Sequence, residues 1–410
     1  MNRTAVVVAA VAMSAAGVAK AEAPELRLPE LLSALRTRNP SVAAAARRYE
    51  AARLRIRRAR ALDDPFVTVM TEDVPLRIMG GMPMVRFQAT QMLPFPGKRD
   101  RMAAVAEREA AAVGTRVDAA VLDVVSEGRR VFHQLALNHE AQRINREQRA
   151  LVDMLVQMAT GRLASGTGSH HDVLKMQTEA TMLDDGMIML VADRREMAAM
   201  LNALLDLPAD TPVGKPALAW TPERPLDRGR LVERALERRP ELREMTAMGA
   251  AERAMAEAAR REYYPDVMVG ALYDARMGGE DTLGAMVGLN VPLWIGSKQK
   301  LDVAAAELRA RAVDRERAAM AAMVRAEVER ALARVDAVGK RLALLDAEFL
   351  PRAEQTFDAA IKAFPSGMMP ALEMLDGLRT VEAQRLARTA LAVERELALV
   401  DLERAVGDLQ

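Results

Sequence analysis

The sequence predicts a mainly α-helical chain with a transmembrane β-barrel contribution, in which a unit of helix, strand hairpin, long helix and return helix is written twice. Three observations carry that expectation. The same landmarks recur in the same order at an offset near 200. Two helix-forming stretches run far beyond the length a compact domain uses. Four segments of about ten residues alternate as strands do, the length a tilted strand needs to cross a hydrocarbon layer.

The repeat is read first, because a missed repeat misassigns everything after it. Ala34-Leu35 and Pro40 return as Ala235-Leu236 and Pro240, and Pro65 before Phe66-Val67-Thr68-Val69 returns as Pro265 before Asp266-Val267-Met268-Val269. Pro94 with Gly97-Lys98 answers Pro292 with Gly296-Ser297-Lys298, and Ser165-Gly166 answers Ser366-Gly367. Leu204-Leu205-Asp206-Leu207 answers Val406-Gly407-Asp408-Leu409. The first copy is placed at 22–207 and the second at 227–410. Between them lies a linker, 208–226, with Pro208, Pro212, Pro216, Pro222 and Pro225, which no continuous helix can cross.

Ser41 to Leu62 and Glu241 to Glu262 lack internal proline and are rich in Ala, Arg, Glu and Leu, all good helix formers. The stretches from Lys98 to Leu163 and Lys298 to Phe364 would each extend roughly 100 Å at about 1.5 Å per residue. Pro351 lies within the second and predicts a kink or displacement there. Return helices from Ser169 to Leu205 and Pro370 to Val406 are near half that length, so a short pre-strand helix stacked on a return helix would cover one long helix. Val121, Val124, Gly128, Val131 and Leu135 give the long helix a narrow seam of small and branched residues, as in coiled coils.

Strands are predicted at about 65–74, 83–93, 266–275 and 282–291. In the fourth, Leu283, Ala285, Val287, Leu289 and Val291 share one face and Thr282, Gly284, Met286, Gly288 and Asn290 the other. The second opposes Val85, Phe87 and Ala89 to Arg86, Gln88 and Thr90. Gly80-Gly81 and Gly278-Gly279 supply the turns. Phe95, Tyr263, Tyr264 and Trp294 fall where helix meets strand, the level that aromatic rings prefer at a lipid–water interface. Four strands cannot close on themselves, so an inserted sheet without free edges requires further copies of the chain. Two copies would give eight strands and three would give twelve; the pattern alone does not choose.

Composition removes other classes. Lys plus Arg (58) nearly cancels Asp plus Glu (57), so nothing draws the chain to nucleic acid. Cysteine is absent, which excludes disulfides, thiol catalysis and lipidation through an N-terminal Cys. No nucleophile–base pair, metal-ligand cluster or phosphate-cradling loop indicates an enzyme, a catalytic residue or a cofactor. Arg3, the apolar run Val6 to Val18 and the small-x-small Ala19-Lys20-Ala21 read as an export signal over 1–21, cleaved after Ala21. The run is too short for a spanning helix.

The duplicated unit resembles the TolC-like outer membrane efflux proteins over essentially the whole mature chain. Gln91-Met92-Leu93-Pro94-Phe95-Pro96-Gly97-Lys98-Arg99 is similar to that family's exit from strand to long helix. Arg162-Leu163-Ala164-Ser165-Gly166 with Asp172-Val173-Leu174 is similar to its periplasmic hairpin tip, and Ala363-Phe364-Pro365-Ser366-Gly367 with Met374-Leu375-Asp376 repeats it. The resemblance implies a homotrimer with a twelve-stranded barrel in the outer membrane of a Gram-negative bacterium and a helical tunnel through the periplasm. It also implies a periplasmic adaptor docked on the tips (about 163–170 and 364–370) through Leu163, Ser165, Gly166, Asp172, Phe364, Ser366 and Gly367, and an inner-membrane pump of the RND type. Glu373 and Asp376, three apart on one helix face, match the family's acidic constriction and would form carboxylate rings selective for cations. A Tyr–Arg–Asp lock that closes the tunnel in a well-known member is matched here by Phe364, Met369 and Asp172, which lack the hydroxyl and the donors it needs.

The strand exit and short tips resemble cation-efflux members more than drug or toxin exporters, so heavy-metal cations are the expected cargo, with drug efflux or type I protein secretion as the alternatives. Methionine is abundant (27) and its thioether suits Cu(I) and Ag(I), yet most of these residues fall at helical positions where Met is an ordinary gap filler. His170 and His171 beside Asp172 are weak metal candidates, because adjacent side chains diverge on a helix. A periplasmic coiled-coil scaffold or adaptor is the alternative of another class; it would need no barrel.

Overall fold

The computed structural model describes residues 25–72, 84–222, 224–276, 278–363 and 370–408. The first unit comprises α1 (Leu28–Arg38), α2 (Pro40–Arg60), β1 (Phe66–Glu72), β2 (Met84–Leu93), α3 (Lys98–Ala164) and α4 (His170–Leu204). The second comprises α5 (Arg228–Arg238), α6 (Pro240–Arg261), β3 (Asp266–Arg276), β4 (Thr282–Asn290), α7 (Gln299–Leu344), α8 (Leu350–Ala363) and α9 (Ala371–Val406). The predicted export signal, the Gly80-Gly81 turn and Phe364, Ser366, Gly367 and Met369 lie outside the described residues.

Proline starts the pre-strand helices in both units. Pro40 and Pro240 sit at the first helical position, where a missing N–H costs nothing. The residue before each ties that helix to its unit's return helix: Asn39 Nδ2 donates to Leu204 O at 2.8 Å, and Arg239 Nη1 donates to Ala405 O at 3.1 Å. Asp206 and Gly407, both at positive φ (57° and 79°), end the return helices in equivalent ways. The structural correspondence thus pairs Asp206 with Gly407, one residue earlier than the sequence match of Asp206 with Asp408.

The 67-residue α3 is the spine. It packs against α2 toward the strands and α4 toward the tip, with α1 and α9 alongside and α6 from the second unit. Helices α1 and α5 are absent from the sequence expectation. Both are only 11 residues long, and they bury few residues: Leu31 and Leu35 in the one, Ala235 in the other. Leu35 belongs to a core with Val42, Val124, Val131, Phe132 and Leu201, and Ala235 to its counterpart with Leu242, Val328 and Leu402. Gly128 of the predicted seam lies directly against Leu35; a Cβ there would come within 2.2 Å of Leu35 Cδ1.

Pro351 does not break the second long helix. A π turn, Leu345–Phe349, precedes it, closed by Leu350 N donating to Leu345 O. Proline has no N–H for the carbonyl four residues back and its ring crowds that carbonyl, so one wider turn absorbs the misfit and helical structure runs on into α8.

The four strands form one antiparallel sheet in the order β1-β2-β3-β4. The hairpins of the two units meet at β2 and β3, and among the described residues one side of β1 and one side of β4 have no strand partner. Among the described residues, no helix is long and apolar enough to cross a membrane.

Candidate transport path

The sheet register sorts every strand side chain onto one of two faces. One carries Val67 and Val69 of β1, Val85, Phe87 and Ala89 of β2, Val267 to Tyr273 at alternate positions of β3, and Leu283, Ala285, Val287 and Leu289 of β4, each row paired across strands. This surface is bare: Leu283 is 82% exposed and Val287 74%. A contiguous apolar face of this extent marks a surface that meets another apolar phase. The other face carries Thr68, Gln88, Thr90 and a charged pair, Arg86 Nε donating to Asp274 Oδ1 at 2.7 Å, with Asp274 also near Thr282 Oγ1 at 3.4 Å. The alternation expected for β4 thus runs through the sheet with exceptions: Thr71 and Gln91 lie in the apolar rows, and Phe66 and Leu272 lie on the polar face.

Where sheet meets helix, the Pro94-to-Lys98 exit makes a tight bend through Gly97 at φ 89°. Lys98 is buried at 6% exposure, and its Nζ lies 3.0 Å from Glu262 and 2.9 Å from Asp266 of the second unit. Burial works against the Lys98 charge, but the hydrogen bonds it donates to Asp266 and Glu262 outweigh it and hold the amine above its ordinary range. Asp266 also accepts from Phe95 N at 2.7 Å. This knot of charges ties the two units together at the junction and went unseen in the sequence, although its lysine lies in the Gln91-to-Arg99 motif.

Of the four junction aromatics, Phe95 and Tyr264 stack on each other, centroids 4.6 Å apart and 13° from parallel, with the Arg261 guanidinium 5.8 Å from the Tyr264 ring centre. Tyr263 is half-buried beside them. Trp294 stands apart and is 72% exposed. The first tip is a short turn: Leu163 half-buried, Ser165 at the end of α3, Gly166 at φ 74°, and Ser169 capping α4 by accepting from His171 N. Asp172 is half-buried in the first turn of α4, and His170 and His171 are exposed. Among the described residues, no group of three or more His, Cys, Asp or Glu could hold a metal ion.

Glu373 and Asp376 are exposed on the first turns of α9, while Met374, Leu375 and Leu378 on the same turns pack into a core with Val152, Val173, Met176 and Leu183. One turn beyond Asp376, Arg379 reaches across to α4. Its Nε lies 3.1 Å from both carboxylate oxygens of Glu179, and the guanidinium Nη2 also bonds that carboxylate. The Glu179 side chain is almost fully buried (6%). This two-pronged pair fastens the return helices of the two units together near the tips. No local motif announces it, because its partners lie 200 residues apart.

A bare four-stranded sheet with a greasy and a more polar face, carried on long packed helices, is the fold of the TolC-like channels. The described chain superposes on a membrane protein from Pseudomonas aeruginosa with a TM-score of 0.80 at 19% identity, over 93% of this chain and 90% of that one. The outer membrane protein VceC from Vibrio cholerae gives 0.78 at 18%, over 93% and 96%. The Neisseria gonorrhoeae MtrE outer membrane channel, in its open state, gives 0.77 at 17%, over 93% and 89%. Residues 231–408, most of the second unit, match the model of the outer membrane efflux protein family. No curated protein sequence matches it.

Proposed function

We propose that the protein is the outer-membrane duct of a tripartite efflux system: three copies close a twelve-stranded barrel in the outer membrane of a Gram-negative bacterium, and their helices form a tunnel through the periplasm. The observation that carries this reading is the sheet, whose two unpaired edges need strand partners and whose exposed apolar face needs lipid. A soluble scaffold has no use for either. The duct is passive and performs no chemistry. An export signal over 1–21 brings the chain across the inner membrane.

At the tips, Leu163, Ser165, Gly166, Asp172, Phe364, Ser366 and Gly367 receive a periplasmic adaptor, which joins the duct to an inner-membrane pump of the RND type. Glu373 and Asp376 form two carboxylate rings at the narrow end and favour cations. Trp294 and Tyr264 lie at the inner lipid boundary. The cargo is a heavy-metal cation; the strand exit around Pro94 to Lys98 and the short tip turns support this over drug or protein export. Reconstitution into planar bilayers tests the reading: discrete conductance with cation preference supports it, and an inert, water-soluble product contradicts it.

A further inference from the structure

The named strands contain five methionines, Met70, Met84, Met92, Met268 and Met286, and the register puts all five on the polar face. The opposite face, where a flexible apolar side chain would be ordinary, has none; apart from Thr71 and Gln91 its strand positions are Val, Leu, Phe, Tyr and Ala. Phe66 and Leu272 share the methionines' face, but hydrophobic filling does not by itself keep methionine off the other one, because lipid accepts methionine as readily as leucine. Flexibility and the thioether separate methionine from its apolar neighbours, and of the two only the thioether is a ligand.

Three of the five converge. Met92 and Met268 are directly opposed on β2 and β3. Met268 pairs with Gly288 and Met286 with Gly270, so Met268 and Met286 are diagonal neighbours on adjacent strands. Each lies across onto the other's strand. The Met268 methyl would meet a Cβ at Gly288 at 3.1 Å, and the Met286 methyl would meet one at Gly270 at 3.4 Å. Two glycines thus form a floor on which the side chains lie flat. Gly270 has a second reason to lack a side chain, since a Cβ there would come within 2.9 Å of Ala89 O.

The surroundings are poor in hard ligands. The same two rows offer only the Thr90 hydroxyl among polar side chains. The nearest carboxylate along β3 on this face, Asp266, is already engaged by Lys98 Nζ at 2.9 Å and Phe95 N at 2.7 Å. A neutral set of sulfur donors without carboxylate suits a soft monovalent ion and offers little to a hard dication.

We propose that Met92, Met268 and Met286 form a thioether site for Cu(I) or Ag(I) on the lumenal face of the sheet, just above the strand–helix junction. The proposal rests on the reading of that face as the wall of an aqueous duct, and it narrows the cargo from heavy-metal cations to soft monovalent ones. Neutral ligands also bind weakly enough to release, as conduction requires.

The test uses the full-length assembled protein in detergent, with Ag(I) titrated in chloride-free buffer. Binding is followed by calorimetry and by the methyl resonances of 13C-labelled methionine. In wild type, three methionine methyls shift together at the first equivalent per protomer, and Zn(II) moves none of them. The variant carrying Met92→Leu, Met268→Leu and Met286→Leu, which keeps volume and hydrophobicity, binds Ag(I) at that step at least about tenfold more weakly. The single variant Met268→Leu shows the same direction should the triple variant fail to assemble, and Met70→Leu leaves the step unchanged. Unaltered Ag(I) binding in the variants, with bilayer conductance intact, overturns the site and leaves the duct standing. Absence of conductance in the wild-type protein overturns the duct, and the lumenal assignment of the site with it.

Discussion

His133 is 2% exposed within α3, and neither ring nitrogen has a hydrogen-bond partner among the described residues. Burial, joined by the Arg129 charge and opposed by the Glu396 carboxylate, pushes its pKa down to about 4. A histidine depressed in the folded state favours the fold while neutral. Its contribution is complete above the ordinary value near 6.5 and is lost as pH falls from there toward about 4, by about 3 kcal/mol over the full window. His133→Leu is expected to flatten the acid side of the stability profile, measured by denaturant titration in detergent between those limits; an unchanged profile would contradict this. Lys98 makes the complementary case. Lys98→Met leaves Asp266, mostly buried, facing Phe95 N alone, and is expected to destabilise by about 3 kcal/mol in the same assay. Sequence reading placed Lys98 in a motif but could not see its role, because its partner carboxylates lie in the other repeat. Nothing in the residues around His133 marks it out. Burial on a helix covered from several sides leaves no periodic trace in the sequence.

The helices of each unit were legible wherever proline or glycine punctuates them. Pro40, Pro240, Gly97 and Gly407 mark ends by fixed local chemistry. The 11-residue α1 and α5 escaped because too few of their residues are buried to set a pattern. Pro351 announced a disturbance, but whether it becomes a kink or a π turn depends on packing against α9, which the local sequence does not specify. Fastening at the tips has the same character. Phe364 and Met369 could be recognised as unfit for a known lock, whereas the Arg379–Glu179 pair appears only when α4 and α9 are brought together. Arg379→Gln is expected to strand the Glu179 carboxylate, loosen the two return helices and raise single-channel conductance. Asp172→Ala is expected to leave conductance nearly unchanged; a large jump would show that closure depends on it after all. The pair Glu373→Gln with Asp376→Asn is expected to bring the cation-to-anion permeability ratio, read from reversal potentials, toward unity.

For the molecule as a whole, the apolar and polar faces of the sheet were readable because strand periodicity is strictly two, and a one-residue slip would have reversed them. The joining of the hairpins through β2 and β3, by contrast, is a long-range pairing between repeats that no local signal encodes. Its consequence is an open sheet with free edges at β1 and β4, incomplete in a single chain. Val287→Arg, in the middle of the apolar face, is expected to cost about 2–4 kcal/mol of insertion free energy and to deplete the protein from outer-membrane fractions, whereas Gln88→Arg on the polar face is tolerated.

The most direct trial of the account is the mass of the mature polypeptide's stable particle, measured by analytical ultracentrifugation with and without detergent. A trimer that requires detergent and resists dissociation is the predicted result. A well-behaved single chain in plain buffer would mean that the sheet edges and the greasy face have found other company, and the duct would be wrong.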